Sequence, residues 1–147
     1  MRLSRLACLA AALLAGTASA AELKLRILAT TDLHMNLVDY DFVRDEPDEE
    51  RGLNRTAALI EAARAENPNS ILVDAGDLLQ GSPMGDVVAR DLPQKEGEIH
   101  PAYLAMNILK YDAVAIGNHE FNFGLELLDR AQIGRDFPVL AANAYRL

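Results

Sequence analysis

Three short stretches of this sequence carry side chains able to hold a cation: Asp32 and His34 in TTDLH, Asp77 in DAGD, and Asn118 with His119 in AVAIGNHEFNFG. Carboxylate, imidazole and amide ligands without a thiolate suit first-row divalent ions such as Mn²⁺, Zn²⁺ or Fe²⁺ and argue against a structural zinc site. A carboxylate such as Asp77 has two oxygens and is able to bridge two cations about 3.5–4 Å apart. Taken singly, each stretch has a plainer reading: a surface Asp-x-His, a Gly-Asp turn, an Asn-His helix cap. In this order, each at the end of an apolar run, they point to a metal site.

The elements that must position them follow from the apolar periodicity. Leu23, Leu25 and Ile27 alternate with Lys24 and Arg26, which predicts a strand over 23–30 with one wet face. From Gly52 to Asn67 the spacing turns helical, with Leu53, Ala57, Ile60 and Ala63 on one stripe and Pro68 just past the end. SILVD, residues 70–74, is short and apolar, as a buried strand is. Pro101 opens a second helix carrying Leu104, Ile108 and Leu109, residues 112–116 form a third strand, 125–131 a third helix and 137–143 a fourth strand. Such alternation predicts a layered α/β fold, a βαβαβαβ portion with mostly parallel strands. Ligands bind such sheets beyond the carboxyl ends of the strands, so all five ligand-type side chains gather at one edge. Asp32 and His34 are two apart and project to the same side of an extended backbone. Gly76 and Gly117 each precede a ligand, where the missing β-carbon lets the chain turn sharply.

A chain of 147 residues suggests one domain. Its start, MRLSRLACLAAALLAGTASA, places Arg2 and Arg5 before an apolar run and an Ala-Ser-Ala end, the pattern of a signal peptide over residues 1–20, cut after Ala20 or Ala21. The run is too short to span a bilayer, so no membrane association is expected after cleavage. Cys8, the one cysteine, leaves with that segment; Arg5 stands where a lipid-anchoring site would want leucine. No disulfide then holds the exported chain together, and packing must do so. Export raises the net charge from −8 to −10, since 12 basic residues then face 22 acidic ones. Such a surface repels nucleic acid polymers, and positive charge must come from elsewhere if a phosphate is bound. The acidic run 39–50 reads as a solvated loop, because Arg44 stands where a calcium loop needs its glycine.

TTDLH, GD and GNHE, in this order and at these intervals, resemble the first three blocks of the calcineurin-like metallophosphoesterases, and within them the secreted 5′-nucleotidase group. TTDLHMN, GLNRTAALI, GDLLQGSP, GEIHPAYLAMN and GNHEFNFG are similar to the periplasmic branch that acts as 2′,3′-cyclic-nucleotide 2′-phosphodiesterase and 3′-nucleotidase, and the likeness runs from Leu25 to Asn143. The resemblance implies two divalent ions, drawn from Mn, Zn, Fe, Co and Mg, and a small nucleotide as substrate. It implies that Asp32 and His34 hold the first metal, that Asp77 bridges both and that Asn118 holds the second. His119 would be catalytic, facing the substrate phosphate. Asn122 stands where the 5′-nucleotidase branch has an aspartate that orients this histidine. An amide supports an imidazolium less, which favours the cyclic-nucleotide branch over a 5′-nucleotidase or UDP-sugar hydrolase.

Members of this family take further ligands from a downstream histidine and a Gly-His-x-His block, and read the nucleoside with a separate C-terminal domain. Neither is in this sequence, and His100, just before a helix proline, suits a capping or surface role. The expectation is therefore that residues 21–147 are the amino-terminal part of a longer periplasmic hydrolase, needing the C-terminal part for activity and for cover over one sheet face. A non-catalytic secreted metal-binding fragment is the alternative.

Overall fold

The computed structural model describes residues 22–92 and 94–145, and the signal segment expected over residues 1–20 lies outside them. Strand β1 (Arg26–Thr30) is followed by a small hairpin of β2 (Tyr40–Asp41) and β3 (Glu46–Pro47). Helix α1 (Leu53–Glu66), strand β4 (Ser70–Asp74), helices α2 (Pro83–Arg90) and α3 (Pro101–Leu109), strand β5 (Ala113–Ala115), a 3₁₀ turn (His119–Phe121), helix α4 (Leu125–Ala131) and strand β6 (Val139–Leu140) complete it. The main sheet runs β1-β4-β5-β6 with every neighbouring pair parallel. This is the mixed α/β arrangement that the alternating pattern predicts.

Register decides which side chains meet the helices. Leu28 is opposite Leu72, Asp74 opposite Val114, and Val114 opposite Val139. These residues share a face on which Ile60, Tyr103, Met106 and Leu128 from the helices close a core around the fully buried Leu72. Burying a side chain of this size contributes about 1.5–3 kcal/mol. The opposite face stays open at Ile27, 64 % exposed, and at Leu140, 55 % exposed.

That arrangement corrects the expected orientation of β1. Alternation suggested Ile27 on the packed face and Arg26 in water, yet Arg26 lies on the helix side and is half-buried. Its guanidinium donates to the Ala63 carbonyl at 2.8 Å and to Glu66 at 2.7 Å, so its stem lies along the sheet while its charge is met at the end of α1. With apolar residues in both phases of the strand, period alone selects the wrong face.

Helix α2 has no counterpart in the apolar periodicity. Its start is marked instead by Ser82, whose hydroxyl accepts from Gly85 N at 3.3 Å, and by Pro83 in the first turn. The acidic run is more structured than a solvated loop. Asp41 is buried, accepts from Val43 N and Arg44 N, and pairs with Arg51 at 3.6 Å. Those backbone bonds hold its carboxyl below the usual carboxylate range.

His100 caps α3 from a buried position, its Nδ1 accepting from Ala102 N at 3.3 Å. Burial, helped by Arg130, lowers its pKa to about 4. Capping is therefore its role, and the surface alternative does not hold. Nearby, Thr30 donates to Asp74 at 2.5 Å and meets the Tyr111 hydroxyl at 2.9 Å. Burial raises the Asp74 carboxyl against the hydrogen bonds that oppose it.

Candidate functional site

The three chemistry-bearing stretches fold as loops at the carboxyl ends of β1, β4 and β5, and backbone bonds stitch the loops together. Beyond the sheet proper the β1 loop continues to pair with the β4 loop: Ala75 N bonds Thr30 O at 3.0 Å, Asp32 N bonds Gly76 O at 3.0 Å, His34 N bonds Asp77 O at 2.9 Å, and Met35 N bonds Leu78 O at 2.8 Å. The β5 loop is fastened by Asp77 itself, whose Oδ1 accepts from His119 N at 2.8 Å.

Asp32 and His34 do come together, but by a route different from strand alternation. Both have left-handed backbone, with φ of 52° and 46°, and Asp77 has φ of 62°. β1 ends at Thr30, and the chain winds through the αL region instead of continuing extended. Each such non-glycine residue costs on the order of 1 kcal/mol, a cost the inter-loop ladder offsets. Gly76, with φ of 97°, makes the expected sharp turn, whereas Gly117 is required by close approach and not by a left-handed turn. A β-carbon on Gly117 would overlap the backbone N and carboxylate of Asp77, and one on Gly76 would overlap Gly117.

One ligand-type atom from each of His34, Asp77 and His119 lies within 4.8 Å of the others, and all three residues are half-buried. The two rings meet edge to face with centroids 4.8 Å apart. Asp32 stands outside that trio but presents Oδ1 3.7 Å from His34 Nε2; its other oxygen is held by the Thr31 hydroxyl. Asn118 is exposed, at the N-cap of the 3₁₀ turn. His34 donates from Nδ1 to the Gln80 carbonyl at 2.6 Å, which leaves Nε2 as the ligating nitrogen. A second ring nitrogen tied to a carbonyl is what metal-ligating histidines show, so donor types and their orientation fit a hard-to-borderline divalent cation.

Two residues at the site escaped the sequence reading. Glu120 is 2 % exposed, and its carboxylate accepts from four backbone N–H groups: Asp77 at 2.9 Å, Gly117 at 2.6 Å, Leu78 at 2.5 Å and Leu79 at 3.2 Å. It clamps the β4 and β5 loops together with charge-assisted bonds. Its place inside GNHE was visible, but its environment was not. The other is Gln80. His119 Nδ1 bonds Gln80 Oε1 at 2.5 Å, and Asn122 Nδ2 donates to the same oxygen at 3.0 Å. Asn122 was expected to touch His119 directly, and its Nδ2 does lie 2.9 Å from His119 Nδ1, while it also donates to Gln80 Oε1, the oxygen bonded to the same ring nitrogen.

The fold and the donors together define a layered α/β protein with a candidate cation site at the carboxyl edge of its parallel sheet. Residues 25–145 match the calcineurin-like phosphoesterase family, and the chain belongs to that family. It is 55 % identical over 132 residues to the 2′,3′-cyclic-nucleotide 2′-phosphodiesterase/3′-nucleotidase of Yersinia enterocolitica, which covers 90 % of this chain and 20 % of that protein. The Salmonella typhimurium protein of the same name is 51 % identical, over 93 % of this chain and 21 % of its own length. The crystal structure of the calcineurin-like phosphoesterase YfkN from Bacillus subtilis superposes with a TM-score of 0.74 at 49 % identity, covering 79 % of this chain and 36 % of that one. The chain thus spans about a fifth of the length of these two curated relatives.

Proposed function

We propose that the carboxyl edge of this sheet is part of a two-metal site that hydrolyses phosphoester bonds in 2′,3′-cyclic nucleotides and 3′-nucleotides, for nucleotide catabolism, with the C-terminal part of a longer protein completing it. The observation that carries the proposal is the convergence of His34, Asp77 and His119, with Asp32 beside His34, at the carboxyl edge. The names of the Yersinia and Salmonella relatives supply the substrate class.

In this reading Asp32 and His34 hold one cation, Asp77 bridges and Asn118 holds the second. Bound divalent cations supply charge neutralisation for a phosphoryl group and acidify water near neutral pH. They also offset the net charge of −8, which on its own repels a phosphate. As an imidazolium, with Nδ1–H held by Gln80, His119 would donate from Nε2 to the phosphoryl oxygen or pass that proton to the leaving alkoxide, and would return to the neutral Nδ1–H form. Asn122 in place of an acid favours the cyclic-nucleotide branch. The C-terminal part reads the nucleoside, and residues 1–20 direct export to the periplasm. Among the described residues no helix is long and apolar enough to cross a membrane.

The test is a chimaera in which residues 25–145 replace the matching fifth of the Yersinia enterocolitica protein. Hydrolysis of 2′,3′-cyclic AMP and 3′-AMP is expected, with kcat reduced about 10²- to 10⁴-fold by His119→Ala. A folded, Mn²⁺-binding chimaera that hydrolyses only 5′-AMP assigns the chain to the 5′-nucleotidase branch; one that hydrolyses none of the three sinks the reading. Periplasmic location is checked by osmotic shock of an expressing bacterium, where the released chain should begin at Ala21 or Glu22.

A further inference from the structure

Both histidines at the site are held by one residue. The backbone carbonyl of Gln80 accepts from His34 Nδ1 at 2.6 Å, and its side-chain Oε1 accepts from His119 Nδ1 at 2.5 Å. Each of the two neighbouring rings thereby has its Nδ1 tied back to the β4 loop and its Nε2 turned away from Gln80. A neutral imidazole carries its proton on one nitrogen only, and an oxygen acceptor at Nδ1 selects that nitrogen. Asn122 Nδ2 donates to Gln80 Oε1 at 3.0 Å, which keeps that oxygen toward the ring, and stands 2.9 Å from His119 Nδ1; the shorter 2.5 Å contact to Gln80 Oε1 is the one that assigns the proton to Nδ1.

We propose that Gln80 is the positioning residue of this site: its main chain sets the tautomer of His34, and its side chain sets the tautomer and orientation of His119. Gln80 so does the orienting work of an acid at position 122. The side chain is half-buried and held by Asn122, so the ring is directed by a neutral acceptor that adds no charge to a chain already at −8. The consequence for chemistry is that His119 meets the substrate through Nε2. That step rests on the function proposed above; the placement of the two rings does not.

The test reads the rings directly. Long-range ¹H–¹⁵N correlation spectra of the purified, metal-free chain, at a pH where its three histidines are neutral, report which nitrogen is protonated in each. His100 is an internal reference of opposite kind, because its Nδ1 accepts from Ala102 N and its proton sits on Nε2. His34 and His119 are expected as Nδ1–H. In Gln80→Leu, His119 loses that signature while His34, bonded to a main-chain carbonyl, keeps it; Gln80→Glu restores His119. In the chimaera, Gln80→Leu should lower kcat about 10- to 100-fold with Mn²⁺ affinity within about twofold of wild type. An Nε2–H His119 in the wild type, an unchanged His119 in Gln80→Leu, loss of the signature at both rings, or no restoration by glutamate each overturns the proposal. The spectra need no turnover, so an inactive chimaera with correct tautomers would count against the phosphoesterase reading and leave Gln80's role standing.

Discussion

The helix-covered face of the sheet and the loops at its carboxyl edge are held together by different forces. On the covered face Leu72, Val114, Tyr103, Met106 and Leu128 interlock, and any well-packed apolar set of similar volume would serve. At the edge Met35, Leu78 and Leu79 anchor the loops in the same core, but the ligand-type side chains beside them are placed by polar bonds. Asp32, His34 and Asp77 sit in left-handed backbone, and what holds them is a ladder of inter-loop bonds together with the Glu120 carboxylate. The core specifies a fold in general terms, whereas the edge specifies side-chain positions through individual polar bonds. Damage to the two regions should therefore separate: core lesions cost stability and leave metal affinity intact, while edge lesions cost both or affinity alone.

The sharpest attack on that contrast is Glu120→Ala. It leaves four backbone N–H groups, two buried and two part-buried, without their acceptor, so stability should fall on the order of 4 kcal/mol and Mn²⁺ binding should vanish together with it. Retained Mn²⁺ affinity would show that Glu120 does not organise the site. The matching core lesion, Leu128→Ala, should cost about 3 kcal/mol by denaturant unfolding, with Mn²⁺ affinity within a factor of about two while the chain remains folded. Gly117→Ala lies between the two regions. Its methyl group would press on the Asp77 carboxylate, so affinity should drop more than about 10-fold for a loss of only about 1–2 kcal/mol.

The smallest effect at neutral pH is expected far from the edge, at His100. Its pKa is lowered from the ordinary 6.5 to about 4, so the unfolded chain takes up this proton first as pH falls. Its contribution is complete above 6.5 and is lost as pH drops from 6.5 to about 4, on the order of 3 kcal/mol in all. His100→Asn keeps an N-cap acceptor and removes the titration. Unfolding free energies of the two chains should agree within about 1 kcal/mol at pH 7, the variant being the more stable at the acid end. A constant difference across that window would refute the assignment.

Much of this was legible in the chain. Apolar runs ending in TTDLH, DAGD and GNHE identify the strands and the edge they share, because parallel strands deliver their carboxyl ends to one side. Gly76 was readable as a sharp turn, while the close approach of the two loops at Gly117 shows only in the structure. Illegible features depend on bonds between distant segments. Arg26 looks solvated until Ala63 and Glu66 are seen to meet it, and Gln80 looks like a loop residue until His34 and His119 close on it. Glu120 stands within GNHE, yet its four partners are backbone N–H groups, of Asp77, Leu78, Leu79 and Gly117, which give no side-chain signal. Helix α2 was not read from the sequence, although Ser82 and Pro83 are residues that favour a helix start.

The central claim is that the carboxyl edge binds a divalent cation through His34 and Asp77. Titration of the purified chain with Mn²⁺, followed by the loss of the free-ion electron paramagnetic resonance signal, tests it most directly. The account predicts saturable binding that weakens more than about 10-fold in Asp77→Asn and in His34→Ala, with native unfolding behaviour retained in both. Saturable binding untouched by either substitution, or none in the folded chain, would contradict it.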